Sequence, residues 1–207
     1  MSTDRPYHST LRDDQARQTR LKIRSSAREL FRNRGFAATT INELARAAGV
    51  SPATLYATFE SKAGIVVAML EDLEEGVDLG RRIKEITREA DPYEQLRMFI
   101  SVHCDLFTNG SDILRAAMQA IEAPEVAALA EQGDTHRREV IDVLTANWNQ
   151  ARVLRSGLSP KIAADRLWLL TTVEGYLNAV DRLGWTPREY EEWLAAIAET
   201  EILEPNR

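Results

Sequence analysis

The sequence predicts an all-α protein, and three observations predict it. Helical periodicity runs through nearly every segment after residue 12. No stretch alternates polar and apolar residues with the period of two that a half-buried strand requires, and glycines and prolines recur beside capping residues at helix-length intervals. About nine helices are expected. They divide into a three-helix N-terminal head over 15–62 and a larger helical bundle over 63–207, behind a polar, patternless arm over 1–14 that is expected to be disordered.

The first helix runs from about Gln15 to Arg34, where Ile23, Ala27, Leu30 and Phe31 share one face and arginine and lysine occupy much of the rest. Gly35 ends it in the position a left-handed cap needs. Thr40 opens the second helix, Glu43 completes a capping box three residues on, and Ile41, Leu44 and Ala45 form the apolar face. Gly49 stops it. Ser51 caps a third helix and Pro52 occupies its first turn, where a missing N–H is no loss; Leu55 and Phe59 turn inward one turn apart. Ser61 caps a fourth, with Lys62 exposed in its first turn. Helices follow at roughly 62–75 with an extension toward 90, and at 92–108, 111–121, 124–155, 159–183 and 186–202. Asp91-Pro92, Asn109-Gly110, Ala123-Pro124, Ser156-Gly157, Ser159-Pro160 and Thr186-Pro187 punctuate them.

At 207 residues, 44% apolar and 28% charged, the chain has ordinary globular composition and can bury a core of one or two domains. The single cysteine, Cys104, excludes an internal disulfide framework, and the N-terminal residues hold no apolar run that would direct export. No apolar stretch approaches the roughly 20 residues that span a bilayer. A cytoplasmic protein without membrane insertion is therefore expected. The net charge of −6 is unevenly spread: residues 1–62 hold eleven Lys or Arg against six Asp or Glu, a net +5, whereas residues 63–207 hold 15 against 26, a net −11. A basic head on an acidic body reads either as a solvated helix face or as a surface that meets phosphate and releases counterions.

The stretch Thr39 to Phe59 is two short helices separated by Ala48-Gly49-Val50, the arrangement of a helix-turn-helix. Ala45 lets the helices cross closely, Gly49 accepts a backbone conformation that other residues resist, and Leu44, Val50 and Leu55 supply the shared core. The second helix must present a short polar face to a major groove about 12 Å wide, and Thr54, Tyr56 and Thr58 supply it. With Gly35-Phe36, the paired Thr39-Thr40, Leu55-Tyr56, Phe59 and Ser61-Lys62, residues 17–77 resemble the signature region of the TetR family of bacterial regulators, with the motif itself over 40–59. The resemblance implies that Thr40, Tyr56 and Lys62 hold DNA phosphates while outward residues of the third helix read bases. The DNA-facing set is thus Thr39, Thr40, Ser51, Thr54, Tyr56, Thr58 and Lys62. Two departures stand out. Ala57 lies where the family often has an aromatic or His, and Pro52 where Lys or Arg is frequent.

In the body, Phe99, His103 and Phe107 lie on a helix that is apolar almost all round, and His103 reads either as a satisfied core residue or as a polar fixing point for a ligand. Met118, Trp148 and Tyr176 complete the candidate ligand set, with core packing as the alternative for each. Two apolar faces on helix 159–183 and one on the last helix point to a homodimer seam through Leu167, Trp168, Tyr176, Val180, Tyr190, Trp193, Leu194 and Ile197. A lone head spans too few bases; two heads about 34–36 Å apart reach successive major grooves. Adjacent positions on a helix diverge by about 100°, so His103 and Cys104 do not readily meet, and no catalytic, phosphate-loop or metal-ligand motif appears. No enzyme, metal or cofactor is expected. The expected function is a transcriptional repressor released from a palindromic operator by a small molecule bound in the C-terminal bundle.

Overall fold

A computed structural model describes the backbone of residues 5–205 and the side chains of residues 12–205. Among these residues it shows ten α-helical segments, one π-helical turn and a single isolated bridge, Leu154 to Leu203. The segments are α1 (Arg5–Arg34), α2 (Ile41–Ala48), α3 (Pro52–Phe59), α4 (Lys62–Gly76), α5 (Leu79–Arg88), α6 (Pro92–Gln119), α7 (Pro124–Gln150), α8 (Pro160–Leu170), α9 (Val173–Leu177), the π-turn Asn178–Arg182 and α10 (Pro187–Ile202). The chain is all-α, as its periodicity predicts. No described helix is long and apolar enough to cross a membrane.

Two compact units form. The first is Met1–Glu71 with Asp112–Ala128, and the second is Asp72–Ser111 with Leu129–Arg207. In the first, Ile23, Ala27 and Phe31 of α1, Leu44 and Ala45 of α2, and Leu55 and Phe59 of α3 are all buried, each large side chain contributing about 1.5–3 kcal/mol. In the second, Phe99, Ile100, Ile141, Leu144, Trp148, Leu167 and Leu194 are among the buried side chains.

Four elements differ from the sequence expectation, each for a physical reason. Helix α1 begins at Arg5, so the arm expected to be disordered over 1–14 is helical from residue 5, with residues 1–4 outside the described ones; no glycine or proline interrupts the sequence from Tyr7 to Arg34. Asn109-Gly110 does not stop a helix. Asn109 turns its side chain back to the Asp105 carbonyl at 2.8 Å, and Gly110 makes room for Leu73, whose Cδ2 lies 2.1 Å from where a Cβ would stand. Helices 92–108 and 111–121 are therefore one, α6. Helix 124–155 ends at Gln150, after which the chain turns through Arg152 in a left-handed conformation (φ 59°) to run beside the end of α10.

The expected helix 159–183 breaks at Thr171-Thr172. The Thr171 carbonyl, released from the helical ladder, accepts a bond from the Arg137 guanidinium, which also lies over the Trp168 ring at 5.1 Å and pairs with Asp134 at 2.6 Å. The Thr172 hydroxyl then caps α9 by accepting from the Gly175 N–H at 3.3 Å. The Thr171 carbonyl and the first N–H groups of α9 thus find partners at the break, which makes it tolerable.

Candidate nucleic-acid interface

The head is built by local signals. At the N-terminus of α2, the Thr40 hydroxyl accepts from the Glu43 N–H at 3.3 Å while the Glu43 carboxylate accepts from the Thr40 N–H at 2.9 Å, a complete capping box. Backbone and side-chain bonds from Thr40 hold the Glu43 carboxyl below its usual range. Gly49 ends α2 at φ 67°, and the Val50 N–H reaches back to the Ala45 carbonyl at 2.9 Å, the long bond of a Schellman turn. Ser51 caps α3 by accepting from the Thr54 N–H at 3.0 Å, with Pro52 in the first turn. The following turn is tight: Glu60 has φ 61°, and a side chain at Gly64 would place its Cβ 2.1 Å from the Phe59 carbonyl oxygen. Only glycine lets α4 start so close to the end of α3.

The expected contact residues are distributed unequally. Tyr56 is 50% exposed and stands outward beside Pro52, Ala53 and Ala57, which are also exposed. Thr40 and Ser51 are exposed too. Thr54 and Thr58, expected to form the outward polar face with Tyr56, lie half-buried on its flanks; Thr54 shares a hydrogen bond with Ser51 at 2.8 Å, and the Thr58 hydroxyl donates to the Thr54 carbonyl at 2.7 Å. The outward face of α3 is therefore one phenol among methyls and a proline ring.

Two expected contacts turn inward. Thr39 is only 1% exposed and its hydroxyl donates to the Gly35 carbonyl at 2.8 Å, because it closes the turn after α1 rather than facing solvent. Lys62, expected to be exposed, is half-buried, with its ammonium on the carbonyls of Phe36 and Thr39. Sequence reasoning also passed over Arg20, whose guanidinium donates to the Thr58 carbonyl at 3.0 Å and lies over the Phe59 ring at 4.7 Å. It places a cation at the C-terminal end of α3, where the helix dipole favours one.

The second unit gathers four of the six expected ligand residues. Phe99 and His103 stack with centroids 4.3 Å apart, His103 meets Phe107 at 6.2 Å, and Phe107 meets Tyr176 at 5.6 Å. His103 Nδ1 lies 2.7 Å from the Phe99 carbonyl, which can only accept, so the ring proton is assigned to Nδ1 and Nε2 is left as an acceptor. Burial pushes its pKa down to about 4, with Arg137 and Arg82 acting in the same direction and the Phe99 bond opposing. Thr108, which the sequence did not single out, shares a hydrogen bond with the Tyr176 hydroxyl at 3.1 Å. The other two residues take no part in these ring contacts. Trp148 is a satisfied core residue whose indole donates to Gln95 at 2.7 Å, and Met118 is exposed on the first unit. Cys104 is buried, and its thiol is pushed up to about 12 by desolvation and then by Glu191 and Asp105.

The expected seam residues divide as well. Leu167, Tyr176, Tyr190 and Leu194 are buried within the single chain, because α8 and α10 pack on each other and Tyr176 meets Tyr190 edge-on at 5.2 Å. Trp168, Val180 and Ile197 are half-buried and Trp193 is exposed. Ile162, Leu169 and Leu183, not anticipated, are exposed apolar side chains of the same region.

A capped α2, a left-handed turn and an α3 held with one edge in solvent make a helix-turn-helix. Residues 23–69 match the model of the bacterial regulatory proteins of the tetR family. It is 36% identical over 87 residues to the HTH-type transcriptional regulator TtgR of Pseudomonas putida, a match covering 42% of this chain and 41% of TtgR. The chain thus spans about two fifths of that relative's length. NalD of Pseudomonas aeruginosa, the secondary repressor of the MexAB-OprM multidrug efflux pump, has the same fold, with a TM-score of 0.75 at 24% identity over 92% of this chain and 98% of NalD. So does the SmeT–triclosan complex, at 0.70 and 15% identity over 90% and 92%.

Proposed function

We propose that this chain is a transcriptional repressor that acts in the cytoplasm as a homodimer, grips a palindromic operator with α3 and releases it when a small molecule binds in the second unit. The observation that carries the DNA reading is α3 itself: capped, held by a left-handed turn and exposing Tyr56 on a head of net charge +5. Ser51, Thr40 and Tyr56 are the contacts with backbone phosphate, and Thr54 and Thr58 approach from the sides of the reading helix. Selection of bound duplexes from a random pool tests this. Enrichment of a twofold-symmetric site with half-sites about 34–36 Å apart is expected; failure to enrich any sequence, with no binding to mixed duplexes in dilute buffer, sinks it. Tyr56→Phe is expected to weaken binding to all sequences alike by about 1 kcal/mol, one hydrogen bond, and a loss confined to one base position would contradict the phosphate role.

Two further observations support the dimer and ligand parts. Ile162, Leu169, Leu183 and Trp193 form exposed apolar surface on and beside α8 and α10, suited to a second copy of the chain. Phe99, His103, Phe107 and Tyr176 form a buried aromatic cluster with one acceptor nitrogen and, counting Thr108, two hydroxyls, a chemistry suited to an aromatic ligand bearing an O–H donor if the cluster parts to admit it. SmeT, of the same fold, binds triclosan. Coupling requires only that the ligand prefer one of two arrangements of the dimer. Compounds that bind the second unit without changing operator affinity would remove the switch and leave DNA binding standing.

A further inference from the structure

Lys62 is the first residue of α4, and its ammonium has three N–H bonds to place. The Phe36 carbonyl takes one at 2.8 Å, the Thr39 carbonyl another at 2.9 Å, and the Phe36 ring lies beneath the nitrogen with its centroid at 4.1 Å. Two charge-assisted bonds and a cation–π contact thus hold the group within the first unit. Desolvation lowers its pKa, consistent with an ammonium drawn out of water.

The placement of its partners gives the contact a purpose. A cation at the start of a helix is disfavoured by the dipole, so Lys62 is poorly placed with respect to α4 alone. The turn it grips, however, lies just past the carbonyl end of α1, and Thr39 immediately precedes Thr40, the cap of α2. From another direction the Gln119 side chain accepts from the Phe36 N–H at 2.8 Å. Everything between residues 39 and 62 is the helix-turn-helix, and this one side chain ties its two ends together.

We infer that Lys62 is a positioning residue of the helix-turn-helix, clamping the entry of α2 to the start of α4, and is not a ligand for DNA phosphate. The inference rests on the DNA-binding reading for its effect on affinity, but the clamp can be tested without DNA. The chain has four lysines, and Lys22, Lys84 and Lys161 are exposed. When the full chain is acylated with acetic anhydride in the absence of DNA, Lys62 is expected to react at least tenfold more slowly than the other three by mass spectrometry, because its nitrogen must leave both carbonyls before it can attack, a hindrance that outweighs the larger free-amine fraction its lowered pKa gives it. Reaction at their rate, with protection appearing only when a duplex is added, overturns the inference.

A second measurement reads the consequence on a duplex selected from random sequence by the wild-type chain. Lys62→Gln is expected to lower affinity at least tenfold while leaving the slope of log affinity against log salt unchanged, because no counterion is released at this position. An unchanged affinity, or a slope reduced by about one per head as a lost phosphate contact requires, overturns it. Lys62→Arg, which keeps the charge and several N–H donors, is expected to recover at least half of the lost affinity at the wild-type slope; no recovery counts against the clamp. If the wild-type chain selects no duplex at all, the DNA reading falls while the acylation result still decides the clamp.

Discussion

His103 shows how one side chain writes a pH dependence into the fold. Its ring is enclosed by Phe99 and Phe107, and its pKa falls from the ordinary 6.5 to about 4 in the folded chain. Below about pH 6.5 the unfolded chain takes up a proton that the folded chain refuses, so stability falls as pH drops toward 4 and is flat above 6.5 on this account. The full difference is on the order of 3 kcal/mol. Urea unfolding of His103→Gln is expected to show a shallower loss of stability between pH 6.5 and 4, by about one proton. An acid limb as steep as that of the wild type would mean that other groups carry it. The residue is legible in the sequence as a lone histidine on an apolar helix, but its tautomer is not, since that depends on the ring turning Nδ1 toward the carbonyl one turn earlier. Lys62 was misplaced for a similar reason. Its partners lie 23 and 26 residues away, and nothing local to the Ser61-Lys62 pair announces them.

Among the elements, those of the head were legible because each carries its own start and stop. Thr40 with Glu43, Gly49, and Ser51 with Pro52 act within three or four residues, and the folded chain uses each as read. Elements of the body were less so. The continuity of α6 depends on Leu73 meeting Gly110, and the break after α8 on Arg137 reaching Thr171, 34 residues on. The outward face of α3 follows from the same local rules, and it carries no Arg, Lys, Asn or Gln for bidentate base contacts. Ala53, Ala57 and Pro52 beside Tyr56 instead suit the methyl groups of thymine. Replacing thymine by deoxyuridine in a selected half-site is therefore expected to weaken binding by about 1 kcal/mol at one or two positions. Equal affinity for the methyl-free duplex would show that this face reads shape or nothing at all.

At the scale of the whole molecule, the first unit is not a continuous stretch of chain. Residues 112–128 complete it, with polar links that include Arg28 to Asp112 in a paired bond at 2.7 and 2.9 Å, Phe36 to Gln119, and Ser61 to Glu125 at 2.7 Å. Exposed ion pairs contribute little, but the Arg28–Asp112 pair is bidentate and Asp112 is largely covered, so its loss is felt. A fragment ending at residue 71 is expected to lack a cooperative thermal transition by circular dichroism, whereas the full chain shows one. A sharp transition in the fragment would show the links to be dispensable. This division also sets a timetable for synthesis. A ribosome that has finished the reading helix must still make residues up to 128 before the head has its last partners, a wait of roughly 3–14 s at 5–20 residues per second. During that interval the nascent head lacks residues 112–128, so α3 is made well before the unit that carries it is complete.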